Sequence, residues 1–293
     1  MPFTTAVTVP QPRAAVSISG GEFSGKTTLA LKAPKPLNLL TADINTKRVL
    51  DALNKAAAGD QKAKASLEQI QVARHILRVP PETQREETGY KAGKISNEAA
   101  IQKLGNDWWK AFRRDALDSA RDKKIRSLVI DGGTAVWQNF RLARFGRAAQ
   151  VPPNRYVDIN AEFGSFLEEL READPRKVII ITHKESDEYE TVLDNKGEEK
   201  SKSTGRKKVD AYKHLGYYME VMVRMFVSGP TMNPALKRQL VQADVEIPEE
   251  NTFGLRIENC GPSPFLSGEV IWKPTFVKLM MKVYPETAKS DWM

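Results

Sequence analysis

Short apolar runs alternating with longer polar, helix-prone stretches set the rhythm of this chain. Ala14–Ser19 reads as a buried strand. Thr28–Leu31 opens a helix that Pro34 and Pro36 end, since proline lacks a donor and clashes with the preceding turn. Leu37–Ala42 reads as a second strand, delivering Asp43 at its C-terminal end. Residues 45–77 are polar and helix-prone, with Ile76–Val79 read as a short strand before Pro80-Pro81. Residues 80–96 lack any period and read as an exposed loop. Over Asn97–Arg121 the residues Ala100, Leu104, Trp108, Phe112 and Leu117 recur at helical spacing. Ile125–Ile130 is another strand and ends in Asp131. Helices are expected over Thr134–Ala143 and Ala161–Glu172, the latter with Phe163, Phe166, Leu167 and Leu170 on one side. Val178–Ile181, apolar and β-branched throughout, has the character of a central parallel strand and leads into Thr182-His183-Lys184. Tyr217–Phe226 and Leu255–Glu258 are further strand candidates, while Val270–Tyr284 is apolar but open between helix and strand.

Strands alternating with helices predict an α/β fold with a mostly parallel central sheet flanked by helices. The expected organisation is a core over residues 1–230, with a polar helical insertion at about 45–122 and a basic loop at about 184–213. A small C-terminal extension, 231–293, packs on that core.

Between the first strand and the first helix lies Gly20-Gly21-Glu22-Phe23-Ser24-Gly25-Lys26-Thr27-Thr28, with four residues between Gly20 and Gly25 and Lys26-Thr27 directly after. This is the spacing of a phosphate-binding loop in the strand–loop–helix context that it requires. Backbone N–H groups converge on phosphate oxygens, and the helix start adds its dipole. Lys26 is placed to reach the β- and γ-phosphates, and the Thr27 hydroxyl to ligate Mg²⁺. ATP and Mg²⁺ are therefore the expected ligands.

Composition narrows the setting. The hydrophobic share is 41% and the aromatic share 8%, as in a globular core with polar insertions. No apolar run approaches the ~18 residues of a membrane span, so no membrane is expected as partner. Met1–Pro10 lacks the charged-then-apolar pattern of a secretion signal. Cys260 is the single cysteine and the three histidines are far apart, which argues against disulfides and a structural metal site. A reducing, cytoplasmic location fits. Lys and Arg outnumber Asp and Glu by 45 to 37, a balance that favours a polyanionic partner where the charge clusters.

Strand ends supply the rest of the expected site, because parallel sheets bind ligands beyond the carboxyl ends of their strands. Asp131 has the setting of an aspartate that holds Mg²⁺ through its water shell, with helix capping as the alternative. Gly132, not a glutamate, follows it, so a catalytic base must come from elsewhere. Asp43 is the candidate, again against helix capping. His183 is placed to sense the γ-phosphate or to link it to the following loop; the alternative is a surface or packing residue. Lys200, Lys202, Arg206, Lys207, Lys208 and Lys213 stand against one acid, Asp210, between Lys200 and Lys213. Such a segment suits phosphate contacts on single-stranded nucleic acid, with Tyr212 as a stacking platform; a solvated charged loop is the plain alternative. Trp108 and Trp109 read as packing anchors.

These motifs together resemble the RecA-like ATPase core. Met1–Asp43 and Asn154–Lys184 resemble bacteriophage RecA-like ATPases of the nucleotide-binding and single-strand-annealing type. The resemblance implies a RecA-like P-loop fold, with Asp43 in place of the catalytic glutamate and His183 in place of the glutamine that couples the γ-phosphate to DNA. It also implies a homo-oligomer, ring or filament. The family's paired inter-subunit lysines would fall near Leu255–Asn259, where Arg256 is the one cation. The function expected is an ATPase that binds single-stranded DNA in phage recombination or annealing, in the host cytoplasm. The rivals are a small-molecule phosphotransferase and a non-catalytic, nucleotide-gated assembly protein.

Overall fold

The computed structural model describes residues 13–78, 97–146, 155–193, 199–230, 232–248 and 250–293. Eighteen elements among the described residues matter here. The described residues begin with β1 (Ala14–Gly20), α1 (Lys26–Ala30) and β2 (Leu37–Thr41). Next come α2 (Thr46–Ala56), α3 (Gln61–Glu68), β3 (Ile70–Arg74), α4 (Asn97–Arg121), β4 (Ser127–Asp131), α5 (Gly133–Phe145), α6 (Tyr156–Glu172) and β5 (Val178–Thr182). A hairpin of β6 (Lys184–Leu193) and β7 (Glu199–Asp210) follows. The chain then continues through β8 (Val221–Val227), α7 (Pro234–Gln242), β9 (Phe253–Cys260), β10 (Val270–Trp272) and α8 (Phe276–Val283).

Eight strands form one sheet in the order β10-β9-β8-β1-β5-β4-β2-β3. β8 through β3 are parallel, and β9 and β10 add an antiparallel margin. The fold is thus α/β with a mostly parallel sheet. β5 separates β1 from β4, so the strand of Asp131 is not the neighbour of the strand that carries the phosphate loop.

Period two sorts the strand residues between two helical layers. Val16, Ile18, Leu37, Leu39, Val129, Val178 and Ile180 pack with α1 and α8. Ala15, Leu40, Leu128, Ile130, Ile179 and Ile181 pack with α4, α5 and α6, where Trp108, Trp109 and Phe112 are buried anchors. The Trp109 ring centroid lies 4.5 Å from that of Phe140 and 5.1 Å from that of Phe166 in this layer.

Several elements differ from expectation. The strand after α3 is Ile70–Arg74, not Ile76–Val79, and Val79 itself lies outside the described residues, as does the loop read over 80–96. It is an edge strand with exposed Gln71 and Val72, so its apolar signal is weak. The strand read as Tyr217–Phe226 begins at Val221, after a 3₁₀ turn over Leu215–Tyr217. The apolar run 270–284 divides into β10 and α8, the latter capped by Thr275, whose hydroxyl accepts from Lys278 N. In the segment 231–293, β9 and β10 extend the sheet itself. The basic stretch 200–213 is not a loop: most of it is β7, paired antiparallel with β6.

A candidate nucleotide site at the strand ends

The phosphate loop leaves β1 at Gly20 and enters α1 at Gly25, whose φ of 87° is left-handed and costs glycine nothing. Lys26 folds back over the loop, its Nζ donating to Gly20 O at 2.9 Å and Gly21 O at 2.5 Å. Burial pulls the Lys26 ammonium below its ordinary pKa, against the attraction of Asp131, Glu185 and Asp43. A cation surrounded by acids and resting on carbonyls is poised for phosphate oxygens.

Asp131 is 3% exposed and saturated with hydroxyl donors. Thr27 Oγ1 donates to Oδ1 at 2.9 Å, Thr182 Oγ1 to Oδ1 at 2.6 Å, and Thr46 Oγ1 to Oδ2 at 2.5 Å. Thr41 Oγ1 lies 2.6 Å from Thr46 Oγ1 and extends the network. A buried carboxylate is tolerable only when hydrogen-bonded in this way. The residues fit Mg²⁺: Thr27 and Asp131 meet as hard oxygen donors beside the phosphate loop, and the threonine lone pairs remain for the ion while its proton faces Asp131.

Asp43 lies beyond β2, half-buried. Its Oδ1 accepts from Asn45 N at 2.9 Å, and Lys184 Nζ is 3.9 Å from Oδ2. Asp43 therefore caps a turn with one oxygen and faces Lys184, at the start of the hairpin, with the other.

His183 is placed otherwise than expected. It is 3% exposed, lined by Ile130, Val136, Trp137, Phe163 and Ile181, and neither ring nitrogen has a partner among the described residues. Burial depresses its pKa to about 3, so the ring is neutral. The ring lies against the first turn of α5, where a Cβ on Gly133 would come within 2.6 Å of His183 Cε1. The reason is parity. His183 shares a strand face with Ile179 and Ile181, which point away from Asp131, whereas Thr182 shares one with Ile180 and points toward it. Sequence reasoning missed Thr182, Thr46 and Lys184; counting alternate positions from Ile180 would have found the first and the last.

The hairpin is rooted on this site. The Thr134 hydroxyl, three residues beyond Asp131, accepts from Lys184 N at 2.9 Å and donates to Asp210 O, so one side chain holds both ends. Glu185, nearly buried, accepts from Ser19 Oγ at 3.3 Å and pairs with Arg224 Nε at 2.7 Å. Lys200, Lys202 and Lys208 share one face of β7, opposite Val192, Glu190 and Ser186, and are exposed, as is Arg206 in a bulge beside Gly205. Lys207 points to the other face, bound to Asp187 at 2.7 Å. Lys213 is exposed beyond the hairpin. Tyr212 is not a surface platform. It is 5% exposed, packed against Trp137 and Phe163, and its hydroxyl, which burial pushes up to about 12, donates to Asn160 O at 2.8 Å. β6 carries Glu185, Asp187, Glu188 and Glu190, so the acids of one strand offset the cations of the other, leaving the positive excess to one face. Arg256, on β9, donates through Nη1 to Gln239 Oε1 of α7 at 2.7 Å.

A family profile described as an AAA domain matches residues 13–246, and the chain belongs to that family. A crystal structure of the RadB recombinase is similar over 89% of this chain and 87% of that chain, at 11% identity and a TM-score of 0.43. No curated protein matches the sequence. No helix of the described residues is long and apolar enough to cross a membrane.

Proposed function

We propose that this protein is a Mg²⁺-dependent ATPase that binds single-stranded DNA, of the kind serving phage recombination or annealing. The observation that carries the reading is the hairpin root. A strand pair with an exposed cationic face is fastened to Thr134, to Ser19 before the phosphate loop, and through Lys184 to Asp43.

Lys26 would hold the β- and γ-phosphates, with the loop backbone from Gly20 to Thr28 around them. Thr27 and Asp131 would hold Mg²⁺, which neutralises phosphate charge. Asp43 would orient and deprotonate the attacking water. The coupling role expected of His183 passes to Lys184, because its ammonium lies on the site's side of the strand and its backbone begins the hairpin. A γ-phosphate that draws Lys184 from Asp43 would shift the hairpin, and its loss would release it. Lys200, Lys202, Arg206, Lys208 and Lys213 would contact DNA phosphates. Phe23, 88% exposed in the phosphate loop, is apolar surface of the sort that a second copy covers in a ring or filament.

One observation favours a second reading, the phosphotransferase: the hairpin's opposite charges suit a lid as well as a DNA-binding surface. Replacing Lys200, Lys202, Arg206 and Lys208 with alanine separates the two. The ATPase reading expects weaker oligonucleotide binding, with the log–log salt slope falling by about 0.7 for each lost contact. No oligonucleotide binding by the wild type at low salt would favour the lid.

A further inference from the structure

A cleft of about 950 Å³ opens beside the phosphate loop. One wall is Gly25, Thr28, Leu29 and Lys32, successive positions on one face of the loop and its helix. The other is Phe253, at the start of β9, and the floor is apolar, with Phe276 and Trp292. Two features point to a ligand. Phe253 is 44% exposed, yet its ring rests on the loop, where a Cβ on Gly25 would lie 3.3 Å from Cδ1 and Cε1. The lining also includes Lys32, Lys273, Lys278 and Lys289, and no Asp or Glu. An apolar floor, an aromatic wall, a cationic rim and continuity with a phosphate loop suit a molecule that is planar and apolar at one end and polyanionic at the other.

Resting on the nucleotide reading of the loop, we propose that this cleft receives the base and ribose of the nucleoside triphosphate, with Phe253 as the stacking platform. The volume lies within the range of about 300–1,000 Å³ for small-molecule sites. Every base has a π-face, so stacking holds a base without reading its edge, and no Asp or Glu is among the lining residues to accept from the N–H groups of guanine. Adenine and guanine nucleotides would both enter.

Calorimetric titration of the whole protein with Mg²⁺–ATP, Mg²⁺–GTP and inorganic tripolyphosphate tests this. Phe253→Ala should weaken both nucleotides about tenfold, the scale of one lost base stack, and leave tripolyphosphate unchanged. Phe253→Trp should restore nucleotide affinity, and its added fluorescence should respond to ATP but not to tripolyphosphate. Equal losses for ATP and tripolyphosphate would mean that the ring merely braces Gly25, and no loss for either would empty the cleft; both overturn the proposal. Lys26→Ala serves as the separate control. If it weakens neither ligand, the failure lies in the phosphate-loop reading and not in the cleft.

Discussion

Asp131 and His183 end adjacent strands, and each is 3% exposed, yet their surroundings are opposite. The carboxylate receives hydroxyl bonds from Thr27, Thr46 and Thr182 and sits over the phosphate loop. The imidazole lies among Trp137, Phe163 and Ile181 with neither nitrogen bonded among the described residues. The β4 and β5 side chains alternate between two layers, so a difference of one residue in parity separates a polar centre from an apolar one. A strand-end position therefore nominates a residue, and its face decides where it acts.

Substitutions can break or sharpen this contrast. On the Asp131 side, Asp43→Asn should lower the rate of ATP hydrolysis by roughly 10²–10⁴-fold while sparing ATP binding, as loss of a general base does. Retention of the wild-type rate would make Asp43 a cap alone. Lys26→Ala removes the cation on the loop and should lower hydrolysis by roughly 10²–10³-fold, the scale of a lost electrostatic stabiliser. Asp131→Ala should weaken nucleotide binding in Mg²⁺ more than in a chelator. It should also lower unfolding free energy by about 1–3 kcal/mol, because buried threonine hydroxyls lose their acceptor. Equal binding losses with and without Mg²⁺ would leave Asp131 structural.

On the His183 side, turnover should be indifferent. His183→Leu should hydrolyse ATP at the wild-type rate and flatten the acid limb of stability. The folded pKa, about 3, lies below the ordinary histidine value of 6.5, so the unfolded chain binds the extra proton between them. The contribution of the neutral ring is present above pH 6.5 and is lost as pH falls toward 3, at up to about 1.4 kcal/mol per pH unit. Denaturant melts at pH 7 and pH 5 measure this. An unchanged pH dependence in His183→Leu would mean that the ring is reached by solvent.

What was legible in the sequence was whatever is local. The phosphate loop is specified by spacing within nine residues, and β5 by an unbroken β-branched run. Asp131 was readable because an acid directly follows Leu128-Val129-Ile130. The hairpin was not, since β6 and β7 lack apolar alternation; they pair through their backbones and through contacts such as Asp187–Lys207 and Glu190 opposite Lys202, which look like solvated loop when read singly. Tyr212 was misplaced because its burial depends on Trp137 and Phe163, far away in the chain. Phe253 carried no signal at all, as its partner Gly25 is far away in the chain.

The central claim is that nucleotide and DNA are coupled through the hairpin root. The direct measurement is titration of a labelled single-stranded oligonucleotide with and without a non-hydrolysable ATP analogue, at fixed salt, in the wild type and in Lys184→Ala. The account predicts that the analogue tightens oligonucleotide binding by about 5–150-fold in the wild type, the usual range of allosteric coupling, and that the oligonucleotide tightens analogue binding by the same factor. In Lys184→Ala both ligands should still bind, each indifferent to the other. Oligonucleotide affinity that ignores the analogue in the wild type, or coupling that survives intact in Lys184→Ala, would contradict it.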